Sequence, residues 1–130
     1  MEWQSDYEVG VEILDTQHQE FFRRLDSLSQ AIFKDAEETR AAMDFFSLYV
    51  EEHLSTEEAL MEKHGFSNRA AHIKLHHQFR DDVVAFREYF SSDDYSPGLA
   101  VNMLNYLGEW FQEHILKVDR VLGEFLQGVE

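Results

Sequence analysis

Beyond the first fourteen residues, apolar side chains recur three and four positions apart rather than two, a period that gathers them on one face of a helix. One proline and six glycines in 130 residues leave few places to break it. The spacing predicts helices over about 15–34, 37–64, 68–91 and 97–117. The first stripe is His18, Phe21, Phe22, Leu25, Leu28 and Ile32, and the second is Met43, Phe46, Val50, His53, Glu57, Leu60 and Met61. The third is His72, His76, Phe79, Val83, Phe86 and Phe90; the fourth is Ala100, Met103, Leu104, Leu107, Trp110, Phe111, His114 and Ile115.

End signals accompany the stripes. Asp15 reads as an N-cap, Gly65 as the stop of the second helix, Ser67 as the cap of the third, and Ser96 with Pro97 as N-cap and first-turn residue of the fourth. Short connections make consecutive helices antiparallel. The expected fold is therefore all-α, an up-down-up-down four-helix bundle forming one domain over residues 1–130. Residues 1–14, with Trp3, Tyr7 and Gly10, have no sustained period and are expected to form an extended arm over the bundle. The tail RVLGEFLQGVE should add a helical turn or two, interrupted by Gly123 and Gly128.

The stripes are not apolar throughout. His18, His53, His72, His76 and His114 fall on core faces, and so does Glu57. Burying a polar group without a partner costs a few kcal/mol, and an unpaired carboxylate costs more. Six such positions in one small core would consume a domain's stability margin, so they must satisfy one another or a common ligand.

His53 and Glu57 are four apart, as are His72 and His76, so each pair can close on one ion from one helix face. His114 and Asp119 are five apart, which suits one ligand on the last helical turn and another on the chain just beyond it. In an antiparallel bundle His18 meets the late part of the second helix, while His72 and His76 meet the end of the fourth. Five imidazoles and two carboxylates exceed what one ion can use. A three-plus-two division of the histidines, with both carboxylates bridging, would fill one octahedral metal and leave its neighbour a position short. Nitrogen and oxygen donors with an open position favour iron, and ligand type alone also admits manganese, cobalt or zinc.

Composition narrows the field further. The absence of cysteine removes disulfides, thiolate nucleophiles and sulfur-ligated metal sites. A formal charge of -15 repels nucleic acid and anionic membrane surfaces. The acidic N-terminus has no signal-peptide pattern and no stretch reaches a membrane span, so a cytoplasmic location is the default expectation. His64, near the end of the second helix, and His77, about 100° round from His76, are expected to be structural or exposed. Glu58 either supports the site or is solvated, and the acidic pairs Glu37–Glu38 and Asp93–Asp94 should be solvated surface.

The residues His18, His53-Leu-Ser-Thr-Glu57-Glu58, His72-Ile-Lys-Leu-His76 and Trp110-Phe-Gln-Glu-His114-Ile-Leu-Lys-Val-Asp119 resemble those of the hemerythrins, most closely the bacterial members. The resemblance spans almost the whole chain, including Trp3, Tyr7, Gly10, Asp15 and Gln17 before the first histidine, and Glu58, Met61 and Gly65 between the motifs. It implies two non-haem iron ions bridged by carboxylates and an oxo or hydroxo oxygen. His72, His76 and His114 would hold the saturated iron, His18 and His53 the five-coordinate one, and Glu57 and Asp119 would bridge. It also implies that dioxygen binds reversibly at the open position, for carriage, storage or delivery to an oxygen-consuming enzyme; the chain itself is expected to be a monomer.

Leu54, Ser67 and Phe111 depart from the family pattern, where an aromatic residue, proline and leucine are common; none is a ligand. Phe21, Phe22, Trp110 and Ile115 are the candidates for an apolar wall around the oxygen position. The enzyme alternative, a di-iron oxidase or peroxidase, fits less well, since ferritin-like enzymes use Glu-x-x-His motifs that the candidate ligands here lack. Oxygen or redox sensing is a third reading, and it requires a partner or an attached output domain.

Overall fold

A computed structural model describes residues 3–92 and 96–129. Helix α1 runs Glu12–Ala31, α2 Ala36–His64, α3 Arg69–Ser91 and α4 Pro97–His114. A π-turn, Ile115–Asp119, then leads without a break into α5, Arg120–Gln127. Among the described residues there is no strand, and the expected all-helical four-helix architecture is what the chain adopts.

The core is built from the stripes. Leu14, Phe21, Leu28, Met43, Phe46, Met61, Phe79, Phe90, Leu107, Phe111 and Ile115 are almost wholly buried. Leu60, Phe86, Met103 and Trp110 sit at the edges of their stripes and are half-buried. No described helix is long and apolar enough to cross a membrane.

Helix ends depart from expectation in three places. Asp15 is not an N-cap: α1 begins at Glu12 behind Val11, and the Asp15 carboxylate instead accepts hydrogen bonds from the Val9 and Gly10 N–H groups, at 2.8 and 3.2 Å. Asp15 thus clamps the arm onto the first turn of the helix. Ser67 does not cap α3, because Asn68 holds that position and makes no side-chain cap bond. The fourth helix does not stop near residue 117 but continues through the π-turn to Gln127. Gly65 and Ser96 behave as expected. Gly65 ends α2 at φ 69°, a conformation that a side chain disfavours, and Ser96 accepts from the Leu99 N–H.

The arm is shorter than expected and carries a 3-10 turn at Ser5–Tyr7. Tyr7 stacks on Phe22 at 5.5 Å between centroids, and Trp3 packs edge-on against Tyr7. On its other side the arm lies against α5. Gln127 donates to the Val9 carbonyl at 2.9 Å, Arg120 donates to the Asp6 carbonyl, and Gly123 faces the Val9 carbonyl so closely that a Cβ would collide with it. Gly123 therefore does not interrupt the helix; it makes room for the arm. The Asp93–Asp94 pair lies outside the described residues, while Glu37 and Glu38 are exposed as expected.

Candidate metal centre

The bundle brings all seven candidate ligands together. His18 comes from α1, His53 and Glu57 from α2, His72 and His76 from α3, His114 from the end of α4 and Asp119 from the end of the π-turn. All are buried, and His18, Glu57, His76 and Asp119 have no exposed surface.

The π-turn explains the last pair. In an α-helix a residue five positions on lies about 140° round from the first, on a different face. The wider i→i+5 turn brings Asp119 back beneath His114, with Oδ1 at 3.0 Å from His114 Nε2.

The two carboxylates divide the histidines into two sets. Glu57 Oε1 lies 3.1 Å from His72 Nε2 and 3.0 Å from His76 Nε2, while Asp119 Oδ1 lies 3.1 Å from His72 Nε2 and 3.0 Å from His114 Nε2. The remaining oxygens face the other way. Glu57 Oε2 is 3.5 Å from His18 Nε2 and 3.3 Å from His53 Nε2, and Asp119 Oδ2 is 3.0 Å from His18 Nε2. Each carboxylate thus offers one oxygen to each set. Glu57, His72, His76, His114 and Asp119 can each place a ligand atom within 4.8 Å of the others, and so can His18, His53, Glu57 and Asp119.

A test of fit comes from hydrogen bonding. Among the described residues, the buried side-chain nitrogens and oxygens without a partner are His18 Nδ1 and Nε2, His53 Nε2, Glu57 Oε2, His72 Nδ1, His114 Nε2 and both Asp119 oxygens. All belong to this cluster. His18 Nδ1 and His72 Nδ1 lie on the outer side of their rings, but the Nε2 atoms of His18, His53 and His114 face the carboxylate oxygens of Glu57 and Asp119 without hydrogen-bond geometry, so these converge where a cation would serve them together. The residues present fit a metal site.

In the metal-free centre protons play part of that role. Burial opposes charge on His18, but the Asp119 and Glu57 carboxylates outweigh it and raise its pKa to about 9; His72 is raised to about 9 by the same balance. Burial lowers His53. Burial also works against the Glu57 and Asp119 carboxylates, yet the surrounding imidazoles hold both below their ordinary values.

Around the centre, neighbours orient two of the imidazoles through Nδ1. His53 Nδ1 meets Gln17 Oε1 at 2.8 Å, and Gln17 in turn donates to Thr56 Oγ1 at 3.1 Å. His76 Nδ1 meets Glu58 Oε2 at 2.8 Å, so Glu58 supports the site rather than standing solvated. His64 is half-buried and His77 is exposed, both apart from the cluster.

The four wall candidates take different places. Trp110 stacks flat on His114 at 4.6 Å and on Phe79 at 4.0 Å, so it borders the three-histidine set. Phe21 stacks on Phe111 at 3.5 Å, Phe22 packs against Phe111 at 5.9 Å, and Ile115 is buried at the start of the π-turn. The ring nearest the two-histidine set is Phe111, edge-on to His18 at 5.4 Å and to His53 at 5.6 Å. The sequence marks Phe111 as a core residue and a departure from the family pattern, not as a wall residue. Its period placed it in the core, and nothing in the spacing says which core ring meets which imidazole.

An antiparallel bundle whose core holds five imidazoles around two shared carboxylates defines a helical cation-binding protein. The chain belongs to the hemerythrin HHE cation-binding domain family, whose model matches residues 9–126. It is 28% identical over 126 residues to a bacteriohemerythrin of Stenotrophomonas maltophilia (strain R551-3), covering 94% of this chain and 78% of that protein. A bacteriohemerythrin of Clostridium acetobutylicum is 26% identical across 91% of this chain and 95% of its own length. Hemerythrin subunit beta of Lingula reevii is 26% identical across 87% of this chain and 84% of its own. The crystal structure of a wild-type hemerythrin superposes with a TM-score of 0.88 at 25% identity, covering 95% of both chains.

Proposed function

We propose that the chain binds dioxygen reversibly at two non-haem iron ions, with His72, His76 and His114 on one ion, His18 and His53 on the other, and Glu57 and Asp119 bridging. The observation that carries this reading is the way each buried carboxylate turns one oxygen to each histidine set. Two ferrous ions so placed would supply the electrons that hold oxygen, and two histidines against three leave one ion with the open position.

The chain's own residues favour binding over turnover. The donor set is rich in neutral imidazole and poor in carboxylate, the reverse of the ferritin-like pattern that favours full oxygen activation. Phe111, backed by Phe21, turns an apolar ring to His18 and His53, which would keep out water and anions that compete for the open position. Carriage, storage or delivery to an oxygen-consuming enzyme by a cytoplasmic monomer all fit this chemistry.

The test is iron stoichiometry together with the visible spectrum of the anaerobically reduced protein, before oxygen is added, after, and after its removal. About two irons per chain, as the ligand count requires, with a charge-transfer band that appears and fades reversibly, is the expected result. Iron that oxidises once without recovery would overturn reversible binding.

A further inference from the structure

Arg80 lies one helical turn beyond His76 on α3 and is only 20% exposed, yet it does not reach the metal centre. Its guanidinium spans two acids on α2. Nη1 donates to Glu58 Oε2 at 2.8 Å, while Nε and Nη2 hold the two Glu51 oxygens at 2.7 and 3.1 Å. Glu51 and Glu58 are seven apart, two turns along one face of α2, so the planar fork bridges them as a lysine could not. The oxygen that Arg80 grips on Glu58 is the one that faces His76 Nδ1 at 2.8 Å.

We propose that Arg80 is a positioning residue for the three-histidine side of the centre, acting through Glu58 on His76. The proposal rests on the metal reading above. A metal on His76 Nε2 leaves the proton on Nδ1, and the acceptor found there fixes the ring's orientation and its strength as a donor. Glu58 is 24% exposed and, without the guanidinium, is free to turn to water. Arg80 holds it on the imidazole. The two sides of the centre are thereby supported differently: His53 leans on the neutral amide of Gln17, and His76 on a carboxylate locked by a cation.

The experiment uses the full chain loaded with zinc, which gives diamagnetic spectra. It reads solvent exchange of the His76 Nδ1 proton by NMR and zinc release to a chelator. Arg80→Gln should speed both about tenfold, the scale on which such supporting contacts act, and Arg80→Lys should fall between it and the parent. Arg87→Gln, which breaks the exposed pair between Arg87 of α3 and Asp44 of α2, should change neither. Parent-like exchange and release in Arg80→Gln would overturn the proposal, as would an equal change in Arg87→Gln, which marks general loosening. If Arg80→Gln does not fold, Glu51→Gln carries the test, and a change in the same direction is required. If no form retains zinc, the metal reading fails by itself. The Arg80 proposal is then decided on metal-free protein, where His76 side-chain nitrogen shifts must differ between Arg80→Gln and the parent.

Discussion

Asp119 stands five residues after His114, and its Oδ1 meets His114 Nε2 at 3.0 Å because the helix widens into a π-turn between them. The other Asp119 oxygen meets His18 Nε2 at 3.0 Å. One side chain therefore ties the last helix to the first across the centre. Asp119→Asn keeps the shape and removes the charge that balances both histidine sets. Metal affinity should fall by about 10-fold or more, with parent-like helicity by circular dichroism. An isothermal titration showing parent affinity would remove Asp119 from the ligand set.

His72→Ala and His114→Ala should each lower iron content and lower the melting temperature of the iron-loaded protein, because metal binding energy contributes to folding. The metal-free proteins should differ less. Iron analysis that finds the parent stoichiometry in both variants would sink their assignment as ligands.

The helical bundle was legible because a period of three and four survives wherever the core is apolar, and because Gly65 and Ser96 act through local backbone chemistry. The clustering of the candidate ligands was legible for a related reason: histidine and glutamate at core positions need a partner, and helix spacing says which can share one. The start of α1 was hidden, since Val11 carries no capping group and Asp15, a good cap by type, is engaged by the arm instead. The π-turn was hidden too. Five-residue spacing of His114 and Asp119 is compatible with a helix end, and the contacts that α5 makes beyond it, with the arm through Gln127 and with Phe66 through Phe125, join segments far apart in sequence. Roles set by ring orientation, such as Phe111 beside His18, or by contacts between helices, such as Arg80 on Glu58, have no signature in spacing.

Phe111 is buried against Phe21 and edge-on to His18 and His53. Phe111→Ala should cost about 3–5 kcal/mol by chemical denaturation. It should also open space beside the two-histidine set, so that the oxidised iron-loaded protein takes up azide faster by stopped flow. Phe79→Ala, which removes the ring behind Trp110, should cost a similar amount and leave azide uptake unchanged. Equal uptake by the two variants would show that Phe111 does not guard that side.

Gly123 has no room for a side chain because the Val9 carbonyl of the arm lies where a Cβ would stand. Gly123→Ala should push the arm away and cost about 1–3 kcal/mol, the usual scale of overpacking, with faster proteolysis near Val9. Gly98, in the first turn of α4, faces open space. Gly98→Ala should be neutral or stabilise by up to about 1 kcal/mol from helix propensity. Thermal melts of the pair separate the two effects, and a neutral Gly123→Ala would mean that the arm does not bear on α5.

The metal-free protein should be most stable close to pH 6.5. His18 and His72 are raised from 6.5 to about 9, so their contribution is complete below 6.5 and is lost as pH rises through about 9. His53 is lowered, so its contribution is complete above 6.5 and is lost as pH falls. Glu57 and Asp119, held below 4.5 and 3.8, add a further loss as pH falls through their folded values. Stability therefore declines on both flanks. A metal in the centre replaces the protons on His18 and His72, so binding at pH 7 should release both and the alkaline decline should flatten in the loaded protein. Urea unfolding midpoints at pH values from about 5 to 9, with and without zinc, read both effects. A metal-free midpoint that rises between pH 6.5 and 9 would show that these two histidines are not charged in the empty centre.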